Sequence, residues 1–220
     1  MRLKYLLLFV FLCGLQAAGT CFAQDDDFGK QRLFEGRLTF GSAISKVGGD
    51  SYIGYHKTGL QAGGMVYIKT SRFFGLSLEM LYVNKGARGG NTEESIYVGT
   101  YIDKYYLNLN YVEIPLVAHL ILYPWDFECG FSYSRLVKSK EWAEADVPVP
   151  IYPAYNYFNK DDYEYVLGVS LRLDKHWLAS ARYELSSQPI RTWDRIPPRY
   201  SQYGVNEFNN VVILRVIYVL

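Results

Sequence analysis

Cysteine is scarce in this chain of 220 residues, and the places of its three cysteines limit what they can do. Cys13 and Cys21 fall in the N-terminal leader described below, which leaves Cys129 for the rest of the chain. One cysteine cannot form an internal disulfide. A disulfide-stapled secreted scaffold is therefore excluded, and the exported chain must be held by a core or by a membrane.

An excess of charge of one sign is also missing. The chain has 23 basic and 22 acidic residues, a net charge of +1. Removal of the leader takes away Arg2 and Lys4 but no acid, which leaves 21 basic against 22 acidic residues and a net charge of −1. This balance provides no basic field for a phosphate backbone, so nucleic acid is not an expected partner.

Long apolar runs are absent after residue 24, so no transmembrane helix is expected there. The leader has basic residues, then an apolar run over 5–15 that is too short to span a bilayer comfortably. Cys21 and Ala23 place small residues at the −3 and −1 positions of a cleavage site before Gln24. This pattern predicts a secretory signal peptide over 1–23, with a retained membrane anchor as the alternative.

The pattern that recurs is alternation with a period of two. Leu76, Leu78 and Met80 lie on one face of a predicted strand, and Ser77 and Glu79 lie on the other. Eight segments of this kind lie near 33–44, 58–69, 73–84, 106–122, 127–137, 162–173, 177–187 and 209–220. The domain over 24–220 is therefore predicted to be all-β.

The connections between these segments alternate in length. Three are short, at 70–72, 123–126 and 174–176, and four are long, at about 45–57, 85–105, 138–161 and 188–208. Tight turns at one end and long loops at the other are typical of outer-membrane barrels. The sequence thus predicts an eight-stranded antiparallel transmembrane β-barrel with short periplasmic turns and four long extracellular loops.

Glycine and aromatic residues bear on the orientation of the two faces. A narrow barrel interior favours small residues, and five glycines lie on the polar face: Gly41, Gly63, Gly75, Gly130 and Gly168. Aromatics at the ends of segments are candidates for interfacial girdles: Tyr105, Tyr106, Tyr123, Trp125 and Trp177. A soluble lipocalin-like carrier, with the apolar face inward, is the alternative.

Several short motifs resemble the PorT-like outer-membrane β-barrel family. They are the segments 59–64 and 79–86, the run Leu109-Asn110-Tyr111-Val112-Glu113-Ile114-Pro115-Leu116, Gly168 and the pair Arg182-Tyr183. The resemblance implies an outer-membrane barrel in contact with lipid. The family is named for a component linked to protein secretion, which implies envelope or secretion proteins as further partners. The final residue, Leu220, departs from the aromatic that ends many outer-membrane barrels.

Charged residues are predicted to face the lumen. The predicted luminal network consists of Glu79, Glu113, His119, Glu128, Arg172, Arg182, Glu184 and Arg215. Buried charges need partners, and mixed acids and arginines supply them, so we interpret this network as structural. A proton or ion path, or a hydrolytic pair of Glu113 with His119, is the functional alternative.

No recognisable motif for catalysis, cofactors or metals is found. The three histidines share no ligand spacing, and no serine lies in a Gly-x-Ser-x-Gly elbow. Cys129 alternates onto the predicted lipid-facing side, where an inert role is expected. A membrane-embedded hydrolase or acyltransferase could still build its site from scattered residues.

The sequence therefore favours a non-enzymatic outer-membrane barrel without cofactor or metal. Its expected role is binding or structural contact through the extracellular loops. An accessory part of a secretion system is the second hypothesis, and a soluble carrier is the third.

Overall fold

The computed structural model of the chain describes residues 34–49, 54–89, 102–145, 157–196 and 204–220. The predicted signal peptide lies outside the described residues. Within them, the regular helical structure is one 3-10 turn, Trp193–Arg195. No helix in the described part of the chain is long and apolar enough to cross a bilayer.

Eight antiparallel strands form a closed barrel in chain order. They are β1 (Phe34–Gly48), β2 (Lys57–Lys69), β3 (Phe74–Gly89), β4 (Ile102–Leu122), β5 (Trp125–Ala145), β6 (Asp161–Arg172), β7 (Trp177–Ser186) and β8 (Phe208–Val219). The ring closes where β1 pairs with β8, from Arg37 opposite Val219 to Gly48 opposite Phe208. Closure removes both sheet edges. The predicted strand number and antiparallel order are confirmed.

The side chains of the barrel wall are apolar outside and polar inside. Met80 on β3 is 65% exposed and Leu116 on β4 is 57% exposed, whereas Glu79, the residue before Met80, is 1% exposed. The outward residues form an apolar belt that includes Phe40, Leu78, Met80, Tyr82, Val112, Leu116, Phe131, Tyr165, Leu167 and Leu214. A soluble carrier would place its apolar face inward, so the lipocalin-like alternative is wrong. Cys129 is exposed on the outer face, as expected.

Glycine makes room for large side chains in the lumen. A Cβ at Gly75 would lie 2.2 Å from the hydroxyl oxygen of Tyr67. A Cβ at Gly41 would lie 2.6 Å from the Cβ of Arg215. The glycines of the inward face thus allow a narrow barrel to hold long charged and aromatic residues.

Four strands extend further from the short turns than predicted. β1 ends at Gly48, β3 ends at Gly89, β4 begins at Ile102 and β5 ends at Ala145. The predicted loops over 85–105 and 138–161 are correspondingly shorter. These boundaries were wrong because the apolar residues change face along the strand, which interrupts the alternation that defined the segments.

The change of face is clearest in β4. From Val112 onward most apolar residues point outward, with Val117 as an inward exception, but Leu107, Leu109 and Tyr111 point inward and are at most 1% exposed. The interior of the lower part of the barrel is therefore mainly polar, whereas the interior near the long connections gains an apolar group that includes Leu107 and Leu109. Tyr105 belongs to this apolar group and is 1% exposed, so its assignment to an interfacial girdle was wrong.

The position of the apolar belt can be tested by placing a charge on it. We expect Leu116→Arg to destabilise the barrel in phospholipid bilayers by about 2–4 kcal/mol, because Leu116 lies within the belt. Thr58→Arg, on the exposed outer face above Leu60, should cost about 0–1 kcal/mol. Reversible denaturant unfolding measures both values. Equal costs for the two variants would mean that the belt does not face lipid.

Candidate functional site

Two arginines and two glutamates form the central layer of the lumen, which we call the arginine layer. Arg182 donates to both carboxylate oxygens of Glu79, at 2.9 and 2.7 Å, and to Glu128 at 2.8 and 3.1 Å. Arg215 bridges the same two acids, with 3.0 Å to each. All four side chains are fully or almost fully buried. Two positive and two negative charges from β3, β5, β7 and β8 thus neutralise one another.

The arginine layer also satisfies its remaining acceptors. The hydroxyl of Ser170 donates to Glu128 at 2.6 Å, and Ser180 lies 3.5 Å from the same oxygen. A carboxylate with several charge-assisted donors regains much of the hydration it loses on burial. The layer therefore fits a structural role, in which the charges hold opposite walls of the barrel together.

A histidine layer lies between the arginine layer and the short turns. Nδ1 of His119 is 3.0 Å from Asp126, and its Nε2 is 2.8 Å from the hydroxyl of Ser77. With the proton on Nδ1, His119 donates to Asp126 and accepts from Ser77. This is the order of contacts of a nucleophile, a base and an orienting carboxylate.

The surroundings of Ser77 do not favour hydrolysis. Ser77 is 1% exposed, and its hydroxyl is also 3.3 Å from Glu79. The ring of Tyr67 packs edge-on against His119, with centroids 5.0 Å apart. A reacting carbonyl needs space beside the nucleophile and donors for its oxyanion, and the neighbours of Ser77 that the structure describes offer a carboxylate instead.

A lysine surrounded by acids forms the next layer above the arginine layer, which we call the lysine layer. The Lys85 ammonium donates to both oxygens of Glu164, at 2.6 and 2.8 Å, and to Glu184 at 3.3 Å. It also forms an ion pair with Glu113. Ser134 donates to Glu164 at 2.8 Å. Each of these residues is buried.

The three glutamates of the lysine layer could hold a metal ion by distance alone. One oxygen of each lies within 4.8 Å of the others. The Lys85 ammonium, however, is paired with all three carboxylates. A cation of the protein's own chain thus fills the place that a metal would take.

A cap closes the barrel at the end of the long connections. Its apolar part combines strand residues with loop residues: Val47, Ala87, Tyr105, Leu107, Leu109, Tyr111, Phe158, Ile190 and Ile196. Phe158, Ile190 and Ile196 lie outside the strands and are at most 5% exposed. The described parts of two loops are therefore folded onto the mouth of the barrel.

A buried arginine fixes the loops of the cap. Arg191 makes a two-pronged contact with Glu207, at 2.8 and 3.0 Å, and another with Glu141, at 3.0 and 3.1 Å. Its guanidinium lies 4.3 Å from the ring centre of Phe158. Burial opposes the charge of Arg191, but the hydrogen bonds and charges of the two glutamates raise its pKa, so the cation persists.

Tyr105 joins the same group of contacts. Its hydroxyl donates to Glu141 at 2.6 Å. Burial, and next the charge of Glu141, raise the pKa of Tyr105 well above its usual value, so the phenol stays protonated and remains a donor. Strand β4, strand β5 and the connection before β8 are thereby tied together.

The predicted luminal residues fall into three groups and one outlier. The arginine layer contains Glu79, Glu128, Arg182 and Arg215, the histidine layer contains His119, and the lysine layer contains Glu113 and Glu184. Glu113 and His119 thus lie in different layers and do not form a pair. Arg172 is partly exposed at the end of β6 and makes no ion pair with any residue that the structure describes. The three layers therefore do not reach Arg172, which is the last residue of β6 at the short-turn end of the barrel.

Several residues of these layers were missed by the sequence analysis. Lys85 lies one residue past the end of a predicted segment, although it keeps the inward phase of Leu81 and Val83. Arg191, Glu141 and Glu207 fall in predicted loops. Extending the alternation of β3 by one more inward position would have predicted that Lys85 faces the lumen. No local pattern in the sequence could have paired residues 141, 191 and 207.

Comparison with known proteins places the chain among outer-membrane barrels. The family described as outer membrane protein beta-barrel domain matches residues 22–187. No curated protein matches the chain.

Three solved structures are similar to the chain at low sequence identity. Ail, the attachment invasion locus protein of Yersinia pestis, is 12% identical, with a TM-score of 0.45 over 86% of this chain and 100% of that one. Neisserial surface protein A is 12% identical, with a TM-score of 0.41 over 85% and 97%. OprG from Pseudomonas aeruginosa is 14% identical, with a TM-score of 0.39 over 85% and 95%.

Removal of Arg182 tests the role of the arginine layer. Arg182→Ala leaves Glu79 and Glu128 with Arg215 as their shared cation, and breaking a buried pair costs about 3–5 kcal/mol. We therefore expect a clearly lower unfolding transition in detergent. Lys160→Ala, at an exposed loop residue, should have no measurable effect. If both variants unfold like the wild type, Arg182 does not carry the structural role.

Labelling of Ser77 tests whether the histidine layer is catalytic. A fluorophosphonate probe labels activated serines, and we expect no labelling of the folded protein in detergent because Ser77 is buried and shares its hydroxyl with Glu79. A serine hydrolase in the same detergent serves as the positive control. Labelling that disappears in Ser77→Ala would identify a working nucleophile instead.

Proposed function

The chain belongs to the family of outer membrane protein β-barrel domains, and we propose that it acts as a non-enzymatic barrel whose extracellular loops bind or contact other molecules. It lies in the outer membrane, where lipid surrounds its belt. The contacts of the lumen are those of a filled structural interior, since ammonium and guanidinium groups already pair with the acids of the arginine and lysine layers. Function is then left to the surface above the membrane.

The observation that carries the proposal is the fixed loop surface at the capped end. Phe158, Ile190 and Arg191 are buried in the cap and hold their loops in place. Large side chains remain exposed on the same two loops, at Tyr157, Trp193 and Val205, and on the connection between β1 and β2, at Tyr55. Aromatic residues on a rigid surface give large contact area at a small cost in conformational entropy, which suits recognition.

An accessory role in protein secretion is the second candidate. The resemblance of segment Leu109–Leu116 to PorT-like barrels favours it, and this segment is where β4 passes from the cap to the membrane. A barrel with this role would need partners in the envelope. Its loss would leave exported proteins in the periplasm, whereas the loss of a loop-binding barrel would not.

A deletion strain complemented with variants tests the proposal. Two properties are measured, the binding of external ligands at the cell surface and the integrity of the envelope. We expect the wild-type gene to restore whichever of them the deletion impairs. The double variant Tyr157→Ala/Trp193→Ala should restore that property poorly. Secretion into the medium should be unchanged in all strains. Protein levels in the outer-membrane fraction must be equal, since the exposed residues carry no core packing.

Tyr123→Ala is the matched control, because Tyr123 is an aromatic 82% exposed at a short turn of the opposite end. It should behave as the wild type. Accumulation of secreted proteins in the periplasm of the deletion strain would favour the secretion role. Full complementation by the loop variant, without a secretion defect, would contradict the loop-binding proposal.

A further inference from the structure

The outer face of β3, β4 and β5 changes character above the apolar belt. Tyr82 and Val112 are cross-strand neighbours at the upper edge of the belt. The next outward pair is Asn84 with Asn110, and Lys138 lies opposite Asn110 on β5. Apart from the exposed Val137, the strands therefore continue out of the belt with a polar outer surface, although their inner surface is the apolar cap.

A row of cations and aromatic rings crosses this surface. The Arg88 guanidinium lies 5.2 Å from the ring centre of Tyr106, and the rings of Tyr106 and Trp142 are stacked, with centroids 4.9 Å apart and planes at 11°. The Lys140 ammonium lies 4.8 Å from the ring of Trp142. We call Arg88, Tyr106, Trp142 and Lys140 the basic row. The ring contacts hold its cations in place without neutralising their charge.

Among the residues that the structure describes, the basic row and Lys138 have no acidic partner. Arg88, Lys138 and Lys140 are exposed and make no ion pair within the described ranges of the chain. Asp161 at the edge of the belt is paired with Arg135, and Glu141 is paired with Arg191 in the cap. Three cations on one side of the barrel are thus available to an anionic ligand.

The height of these cations indicates the size of the ligand's headgroup. With a strand rise of about 3.4 Å and a tilt near 40°, Lys138 lies roughly 5 Å above Val112, and Tyr106 lies roughly 15 Å above it. The polar layer of a phospholipid leaflet is only about 5–7 Å thick. A phospholipid could therefore reach Lys138 but not the basic row, whereas a headgroup built of phosphorylated sugars could reach both.

We propose that the basic row and Lys138 form a binding surface for an anionic glycolipid of the outer leaflet, with phosphate groups on the cations and sugar rings against Tyr106 and Trp142. Lipopolysaccharide has this chemistry. Arginine and lysine bind phosphate oxygens with charge-assisted hydrogen bonds, and the flat aromatic pair presents an apolar surface to a sugar ring. The surface lies on the side of the barrel and is separate from the exposed loop residues.

Binding of purified lipopolysaccharide to the folded protein in zwitterionic detergent tests the proposal. The probes are lipopolysaccharide, the same material after enzymatic removal of its phosphates, phosphatidylglycerol, and inorganic phosphate. We expect the triple variant Arg88→Ala/Lys138→Ala/Lys140→Ala to bind lipopolysaccharide about a hundredfold more weakly than the wild type. Trp142→Ala should weaken it less, and the dephosphorylated lipid should bind the wild type poorly.

The matched control is Arg72→Ala/Arg172→Ala/Lys175→Ala, which removes three basic residues at the short-turn end of the barrel and should bind as the wild type. Equal heat-modifiable migration on gels shows that each variant is folded. Unchanged lipopolysaccharide binding by the first triple variant would overturn the proposal. So would equally tight, row-dependent binding of phosphatidylglycerol, or of inorganic phosphate alone. These outcomes concern the lipid-binding surface alone, and the proposed role of the loops is tested separately by Tyr157→Ala/Trp193→Ala.

Discussion

The pairing of Arg182 and Arg215 with Glu79 and Glu128 is the interaction on which the rest of the structure depends. The outer surface of the barrel must be apolar to lie in lipid, so the polar half of each strand has to face inward. In an eight-stranded barrel the lumen has room for side chains and little else. Charges placed there must neutralise one another, and two arginines that each contact both acids do so. The glycines of neighbouring strands provide the space that these long side chains need.

The barrel consists of two parts with opposite interiors. Below Val112 the wall is apolar outside and charged inside, as lipid requires. Above it, Leu107 and Leu109 face inward, and the outer surface carries Asn110 and Lys140. Water surrounds this upper part, so the hydrophobic effect there drives apolar residues to the centre. Successive side chains of a strand point to opposite faces. The apolar residues can therefore move from the outer face to the inner face within two neighbouring positions of the same strand.

The cap depends on this change of face. An apolar upper interior gives Phe158 and Ile190 a core on which to fold, and Arg191 then joins Glu141 to Glu207. The described parts of these two loops are consequently held by burial and by ion pairs. Two regions above the membrane can contact other molecules: the exposed side chains of the loops, and the basic row with Lys138. The loop residues point away from the membrane, and the basic row lies on the side of the barrel, parallel to the membrane surface.

Alternation and connection length in the sequence were enough to determine the eight strands, their antiparallel order and the outward belt. The period of two follows directly from strand geometry, and a belt of ten or so residues leaves it undisturbed. The same reasoning placed Glu79, Glu128, Arg182 and Arg215 in the lumen, because each keeps the polar phase of its own strand. Only the tertiary structure decided which charges meet. Lys85 and Glu164 lie on different strands, Arg191 reaches Glu141 across 50 residues of sequence, and Arg172 stays apart although its phase is similar. The position of a residue in the alternation decides which face of the sheet its side chain lies on. Its height along the barrel is decided by the stagger and closure of the strands. Two charges pair only when they share both the face and the height.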